Sequence, residues 1–215
     1  MKKKKMNLFF LWFMKITGWL GAVVFFKPKI YYMNRKKQGR RIKGACILMS
    51  NHVSLWDFFL YLLIFVERNI RFLMAEILFT KNPFMTFLCY ATGGIYVNRD
   101  AVNMSFLKES LETLKKGGVV GIFPQGRVAV KGKTWPFKPG IVSIALHSGA
   151  PILPVYTDGN YGIFKQTHVM IGEKIYLKDY FDIEDTSEEN IRKMTQFLQD
   201  KTFELKDEME RRMRK

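Results

Sequence analysis

From residue 44 onward the chain alternates short apolar runs of β-forming residues with stretches of helical periodicity, and this constrains the fold more than any other feature. ACILMS (45–50), a run near 70–74, GGIYVNR (93–99), VVGIFP (119–124), PILPVYT (151–157) and HVMIGEKI (168–175) have the length and composition of strands. Helices are expected over 55–67, 83–91, 105–118 (closed by a glycine pair) and 139–149 (opened by a proline). A terminal helix over about 186–212 opens with a Thr186/Glu189 capping box. Strands separated by helices predict an α/β fold: a single layered domain over 44–215, with a mixed, largely parallel sheet flanked by helices. In such sheets chemistry gathers beyond the carboxyl ends of the strands. Three short polar segments fall in such places: NHVSLWD (51–57), NRD (98–100) and PQGR (124–127).

Residues 1–43 differ in kind. They hold 13 of the 35 Lys/Arg and none of the 19 acidic residues, which leaves the other 172 residues near +3 of the net +16. The charge excess is therefore a terminal feature rather than a groove across the fold. That disfavours nucleic acid as partner and favours attachment to an anionic membrane surface. Within this segment MNLFFLWFMKITGWLGAVVFF (6–26) is about as long as a bilayer span. It is basic at both ends, however, and no small-residue cleavage site follows it, so a signal peptide is not expected. On a helical wheel Phe9, Trp12, Phe13, Ile16, Trp19, Leu20 and Val23 share one face. Asn7, Thr17, Gly18 and Gly21 lie opposite, with Lys15 at the margin. This pattern predicts a membrane-associating helical segment, interfacial or re-entrant, its cations on anionic head groups. A single span and a buried core helix are the alternatives. The two cysteines, Cys46 and Cys89, sit in apolar surroundings without CxxC spacing and predict neither a disulfide nor a zinc site.

NHVSLWD supports three readings. Ser54 and Asp57 suit the start of a helix as cap and third residue. With His52 in the loop before that helix, Asp57 can reach back to its Nδ1–H and leave Nε2 as a general base. A serine nucleophile is the weakest reading, because no GxSxG elbow surrounds Ser54. PQGR offers a tight turn, backbone N–H groups and a cation, and Arg99 closes the preceding strand. Two arginines at strand ends suit a phosphate, although pairing with a carboxylate is the commoner fate of either. His147 and His168 lack an evident partner and read as structural.

Four segments in this order resemble the glycerolipid acyltransferase family, typified by 1-acyl-glycerol-3-phosphate acyltransferases. Asn51, His52 and Asp57 match its NH-x4-D block. GGIYVNR with Arg99 matches its G-x-I-x-V-x-R block, FPQGRV its FPEG block, and APILPV (150–155) its VPI-x-PV-like strand; PFKPG resembles its PFKxG. The resemblance covers roughly 40–175. It implies that His52 deprotonates an acceptor hydroxyl, which attacks an acyl thioester, while Asp57 orients His52, with no covalent intermediate, metal or cofactor. Asn51, Arg99, Phe123, Pro124, Gln125, Gly126 and Arg127 would hold the substrate. Acyl-CoA or acyl carrier protein would be the donor, and a lysophospholipid, above all 1-acyl-glycerol-3-phosphate, the acceptor. The expected location is the cytoplasmic face of the cell membrane. Four positions depart from the pattern: Gln125 stands for the family's Glu and Val128 for its Arg, Arg127 being shifted by one. The lysine usual early in the second block is replaced by Ala75 or shifted, and Thr86 stands where a glycine is usual.

Overall fold

The architecture grows outward from β2 (Cys46–Ser50), a strand buried along its whole length. β2 lies between β5 (Val119–Ile122) and β6 (Ile152–Thr157), both parallel to it. A strand covered on both faces needs an unbroken apolar run, and ACILM is one. The computed structural model describes residues 7–98, 105–130 and 134–214. Within them β1 (Lys29–Tyr32), β3 (Ile70–Ala75), β4 (Ile95–Val97) and β7 (His168–Ile171) complete a seven-stranded sheet of order β1-β7-β6-β2-β5-β3-β4. Only the β6–β7 pairing is antiparallel, which makes the sheet mixed but largely parallel, as the alternation predicted.

Helices cover both faces. On one side α3 (Asp57–Ile64), α4 (Glu76–Thr80) and α5 (Pro83–Ala91) pack with Phe26, Leu48, Phe72 and Val155 in one core. On the other, α6 (Ser105–Lys115), α7 (Gly140–Ser148) and α8 (Glu188–Met213) enclose Ile47, Met49, Val120 and Ile122. Alternate residues of β2 thus feed opposite cores, as the pleat requires. α4 was not foreseen in the sequence; its five residues are too few for a helical period to register. The cap of α8 is Ser187, whose side chain accepts from Asn190 N–H, one residue beyond the expected Thr186.

The amino-terminal segment forms two helices rather than one. α1 (Leu8–Thr17) and α2 (Trp19–Phe26) meet at Gly18 with a 53° bend. At this bend the Met14 carbonyl oxygen lies 2.7 Å from where a Cβ on residue 18 would be, so only glycine fits. No single helix among the described residues is long and apolar enough to cross a membrane; the bent pair meets that length and composition only when joined. Phe9, Trp12, Phe13, Ile16, Trp19 and Leu20 are exposed, in keeping with the wheel, whereas Val23 is half-buried. Lys15 behaves differently from the expectation of a head-group cation. It is buried, and its ammonium donates to Val66 O, Arg68 O and Asn69 Oδ1 at 2.8, 2.9 and 3.2 Å. Residues 29–32, grouped by sequence with the attachment segment, are the sheet's edge strand β1. β1 runs from the His168 end of β7 to its Ile171 end. It therefore separates Lys27 and Lys29 from Arg35, Lys36, Lys37, Arg40, Arg41 and Lys43, which lead into the amino end of β2.

Candidate active site

β2 ends by delivering Asn51 and His52 to the carboxyl edge of the sheet. Asn51 is fixed by β6: its Nδ2 donates to Thr157 O at 2.8 Å, and Thr157 N–H donates to its Oδ1 at 2.9 Å. With both amide groups so engaged in a buried position, Asn51 stands behind the cavity described below rather than on its lining. His52 follows with its ring parallel to Phe123, centroids 4.2 Å apart. Phe123 stacks in turn on Phe72. Two backbone bonds hold the residue itself. His52 N–H donates to Gln125 Oε1 at 2.6 Å, and Ala129 N–H donates to His52 O at 2.9 Å.

Asp57 opens α3 and is fully buried. Its Oδ2 accepts from His52 Nδ1–H at 2.8 Å, from Val53 N–H at 2.8 Å and from Ser54 N–H at 3.0 Å. Its Oδ1 accepts from the Tyr161 hydroxyl. The dyad reading of NHVSLWD holds in geometry, whereas the cap reading is corrected: α3 starts at Asp57 itself with Trp56 as its N-cap and no side-chain cap bond, so Ser54 is not the cap and Asp57 is the first residue rather than the third. A side chain at a helix N-terminus that accepts the preceding loop's N–H groups is also placed to fix an imidazole. Ser54 contributes only locally, its hydroxyl accepting from Trp56 N–H. With Nδ1 donating to Asp57, the other ring nitrogen of His52 is left as acceptor.

His52 lines a cavity of about 750 Å³. Its wall is largely apolar, with Phe58, Phe59, Met74, Leu78, Met85 and Cys89 among the lining residues. Phe123, Pro124, Gly126, Arg127 and Val128 also line it, as does Lys138 of the PFKPG segment, a residue to which sequence reading gave no role. Gly126 has φ of +68° and closes the turn by donating to Phe123 O, the conformation for which PQGR needs glycine. Gln125 is 3% exposed and turned to the His52 backbone, off the lining. Arg127 stacks its guanidinium on Trp135 at 4.6 Å, and the Trp135 indole N–H donates to Val128 O. Arg127 and Lys138 are thus two exposed cations on an otherwise greasy wall. Arg99 lies outside the described residues. Ala75 lines the cavity, whereas Thr86 spends its hydroxyl on Phe79 O and Asn82 O. His168, read as partnerless, pairs with Asp158 at 2.7 Å, and His147 donates to Ser143 O within its own helix.

A family model described as Acyltransferase matches residues 29–158, well over half of the chain. The chain belongs to the acyltransferase family. Its relatives include the 1-acyl-sn-glycerol-3-phosphate acyltransferase of Borreliella burgdorferi, 27% identical over 164 residues that cover 74% of this chain and 64% of that one. The enzyme of the same name from Pseudomonas aeruginosa is 31% identical over 54% of this chain and 46% of its own. The chain thus spans less than two thirds of each relative's length. Among solved structures, the 1-acyl-sn-glycerophosphate (LPA) acyltransferase PlsC of Thermotoga maritima superposes with a TM-score of 0.65, covering 95% of this chain and 80% of that one. At 22% identity that likeness establishes a shared acyltransferase fold.

Proposed function

We propose that this acyltransferase-family chain moves a fatty acyl group from an acyl thioester to the free hydroxyl of a lysophospholipid, with His52 as general base. The observation that carries this reading is the His52–Asp57 pair opening onto a largely apolar cavity of about 750 Å³ whose lining includes two cations. The acceptor hydroxyl gives its proton to His52 Nε2 as its oxygen attacks the thioester carbonyl. Collapse of the tetrahedral intermediate breaks the C–S bond, and the thiolate leaves with the proton that His52 returns. Asp57 keeps the imidazole oriented throughout, and general-base assistance of this kind is worth about 10²- to 10⁴-fold in rate. The apolar wall suits an acyl chain. Arg127 and Lys138 suit the phosphate of 1-acyl-glycerol-3-phosphate, on which the named relatives act. Acyl-CoA and acyl carrier protein both present the required thioester.

The exposed apolar residues of α1 and α2 support seating at a membrane surface, on the cytoplasmic face where acyl thioesters are made. Leu55, Trp56, Ile77 and Phe84 are exposed as well and line the cavity, so lipid bathing the helices has a path to the site. A second reading, a different lysolipid or lipid hydroxyl as acceptor, draws on Gln125 and Val128, which alter the block that would recognise the phosphate. Incubating the purified protein with acyl-CoA or acyl carrier protein thioesters and a panel of lysolipids, followed by mass spectrometry, tests both. Diacylglycerol phosphate as main product is the expected result. Acylation of neutral lysolipids alone would select the second reading, and no acylated lipid from any acceptor would end both.

A further inference from the structure

The Asp57 carboxylate is bound on both oxygens. Three of its four donors come from its own neighbourhood, 51–57. The fourth, the Tyr161 hydroxyl, arrives from the loop between β6 and β7, 104 residues away. We propose that Tyr161 is a positioning residue of the transfer site, its hydroxyl fixing Asp57 and through it the His52 imidazole, and that the carboxyl end of α2 holds it there. The proposal rests on the reading of His52 and Asp57 as the working pair.

The loop is tied to α2 on both sides of the tyrosine. Gly162 N–H donates to Phe25 O and Thr167 N–H to Phe26 O, each at 3.1 Å. These carbonyls close α2, where the helix's own bonds run out. The Phe26 ring packs edge-on against Tyr161, centroids 5.1 Å apart and planes at 90°. Gly159, with φ of +68°, turns the loop so tightly over Val53 that a Cβ there would come within 2.4 Å of Val53 Cγ2. Asn160 Nδ2 donates to Gln166 O, and the Asp158–His168 pair clamps the loop's two ends. So many restraints on a surface loop leave the hydroxyl little freedom, which is what a positioning group needs.

The hydroxyl is a donor and stays one. Burial, and then the adjacent Asp57 charge, push its ionisation far above the ordinary tyrosine range. A neutral donor on Oδ1 draws charge from the carboxylate and moderates its pull on a protonated imidazole. Among the described residues, the other titratable groups near the pair are Tyr61 of α3, which contacts the Ser50 hydroxyl and is itself held protonated by burial, Asp158 beyond it, and Arg127 and Lys138, which line the same cavity as His52. Removing the Tyr161 hydroxyl leaves all of these in place and withdraws only the donor on Oδ1, so a change in the pH–rate profile reads its contact with the carboxylate.

The test compares wild type, Tyr161→Phe, Asp57→Asn, the double variant, Phe26→Leu and His52→Ala on vesicles containing 1-acyl-glycerol-3-phosphate, with whichever acyl thioester the wild type consumes. Tyr161→Phe is expected to lower kcat about tenfold with little change in KM. It should also displace the acid limb of the pH–rate profile, since the hydroxyl touches the carboxylate that holds the imidazole. In the Asp57→Asn background the same change should cost little, because the hydroxyl acts through the carboxylate. A merely structural tyrosine would lower both backgrounds alike and leave the limb where it was. Should Tyr161→Phe fail to show a cooperative melt, Phe26→Leu carries the test, since it loosens the tyrosine's seat and should shift the limb in the same direction. An unmoved limb in the folded variants, with His52→Ala inactive, overturns the role of Tyr161 alone. Full activity of His52→Ala overturns the catalytic reading beneath it.

Discussion

At the scale of single residues, the departures from the family pattern acquire physical content. Gln125 supplies the oxygen that accepts His52 N–H, a task that a carboxylate and an amide perform equally well in geometry but not in charge. Gln125→Glu restores the family's residue and keeps an acceptor for His52 N–H, so it is expected to fold normally, as a thermal melt would show. Arg127, displaced by one position from the pattern, still lines the cavity because Trp135 backs its guanidinium. Arg127→Ala should raise KM for 1-acyl-glycerol-3-phosphate about tenfold and leave a neutral acceptor unaffected, as steady-state kinetics on the two substrates would show. Tyr161 gave no signal in the sequence at all: GNYG resembles any turn, and its partner lies 104 positions away. The His52–Asp57 pair was legible because both members fall within one short segment, whose local turn brings them together.

Elements carried most of what the sequence revealed. The buried strands were found because apolar runs such as VVGI and ILPV have nowhere to go but inside a sheet. β1 was missed because KIYY, short and with a basic flank, looks like part of the attachment segment. Lys15 was misplaced for a related reason. A wheel gives its angle but not what packs there, and the carbonyls at 66 and 68 became its partners only through the tertiary fold. Burial holds its ammonium down at about 8, against an ordinary 10.5. Below pH 8 the docked and unfolded chains both carry the charge and the fold bears its desolvation. Between pH 8 and 10.5 the fold holds a neutral amine where the unfolded chain holds a cation, so wild-type stability relative to Lys15→Met should rise across that window. Thermal melts of the two proteins at pH 7.5 and 10 would read this difference. Gly121 marks another close fit: a Cβ there would meet the Phe72 ring at 2.4 Å. Because Phe72 supports Phe123 and Phe123 supports His52, Gly121→Ala should cost about 1–3 kcal/mol of stability and lower activity as well.

For the whole molecule, the parallel sheet gathers the ends of β2, β5 and β6 at one edge, where dyad, turn and cavity meet. The charge excess read from residues 1–43 is real but divided by β1. Lys27 and Lys29 lie at the His168 end with the helices, and the 35–43 cluster at the other end. If the exposed faces of α1 and α2 seat in lipid, neutralising Lys27 and Lys29 should weaken binding to anionic vesicles by about 1 kcal/mol per charge. Neutralising Lys36 and Lys37 should matter less, and flotation at fixed salt would distinguish the pairs. Fold class was legible because alternation of strand and helix is a whole-chain pattern. The exposed apolar residues that line the cavity were not, since Leu55 and Trp56 come from the turn before α3, Ile77 from α4 and Phe84 from α5. The central claim is that His52 transfers the proton that makes acyl transfer fast. Its most direct measurement is acylated lipid formed per minute by His52→Ala against wild type, at equal vesicle binding and with a matched thermal melt. A loss of about 10²- to 10⁴-fold is expected. Product formation within twofold of wild type would contradict it.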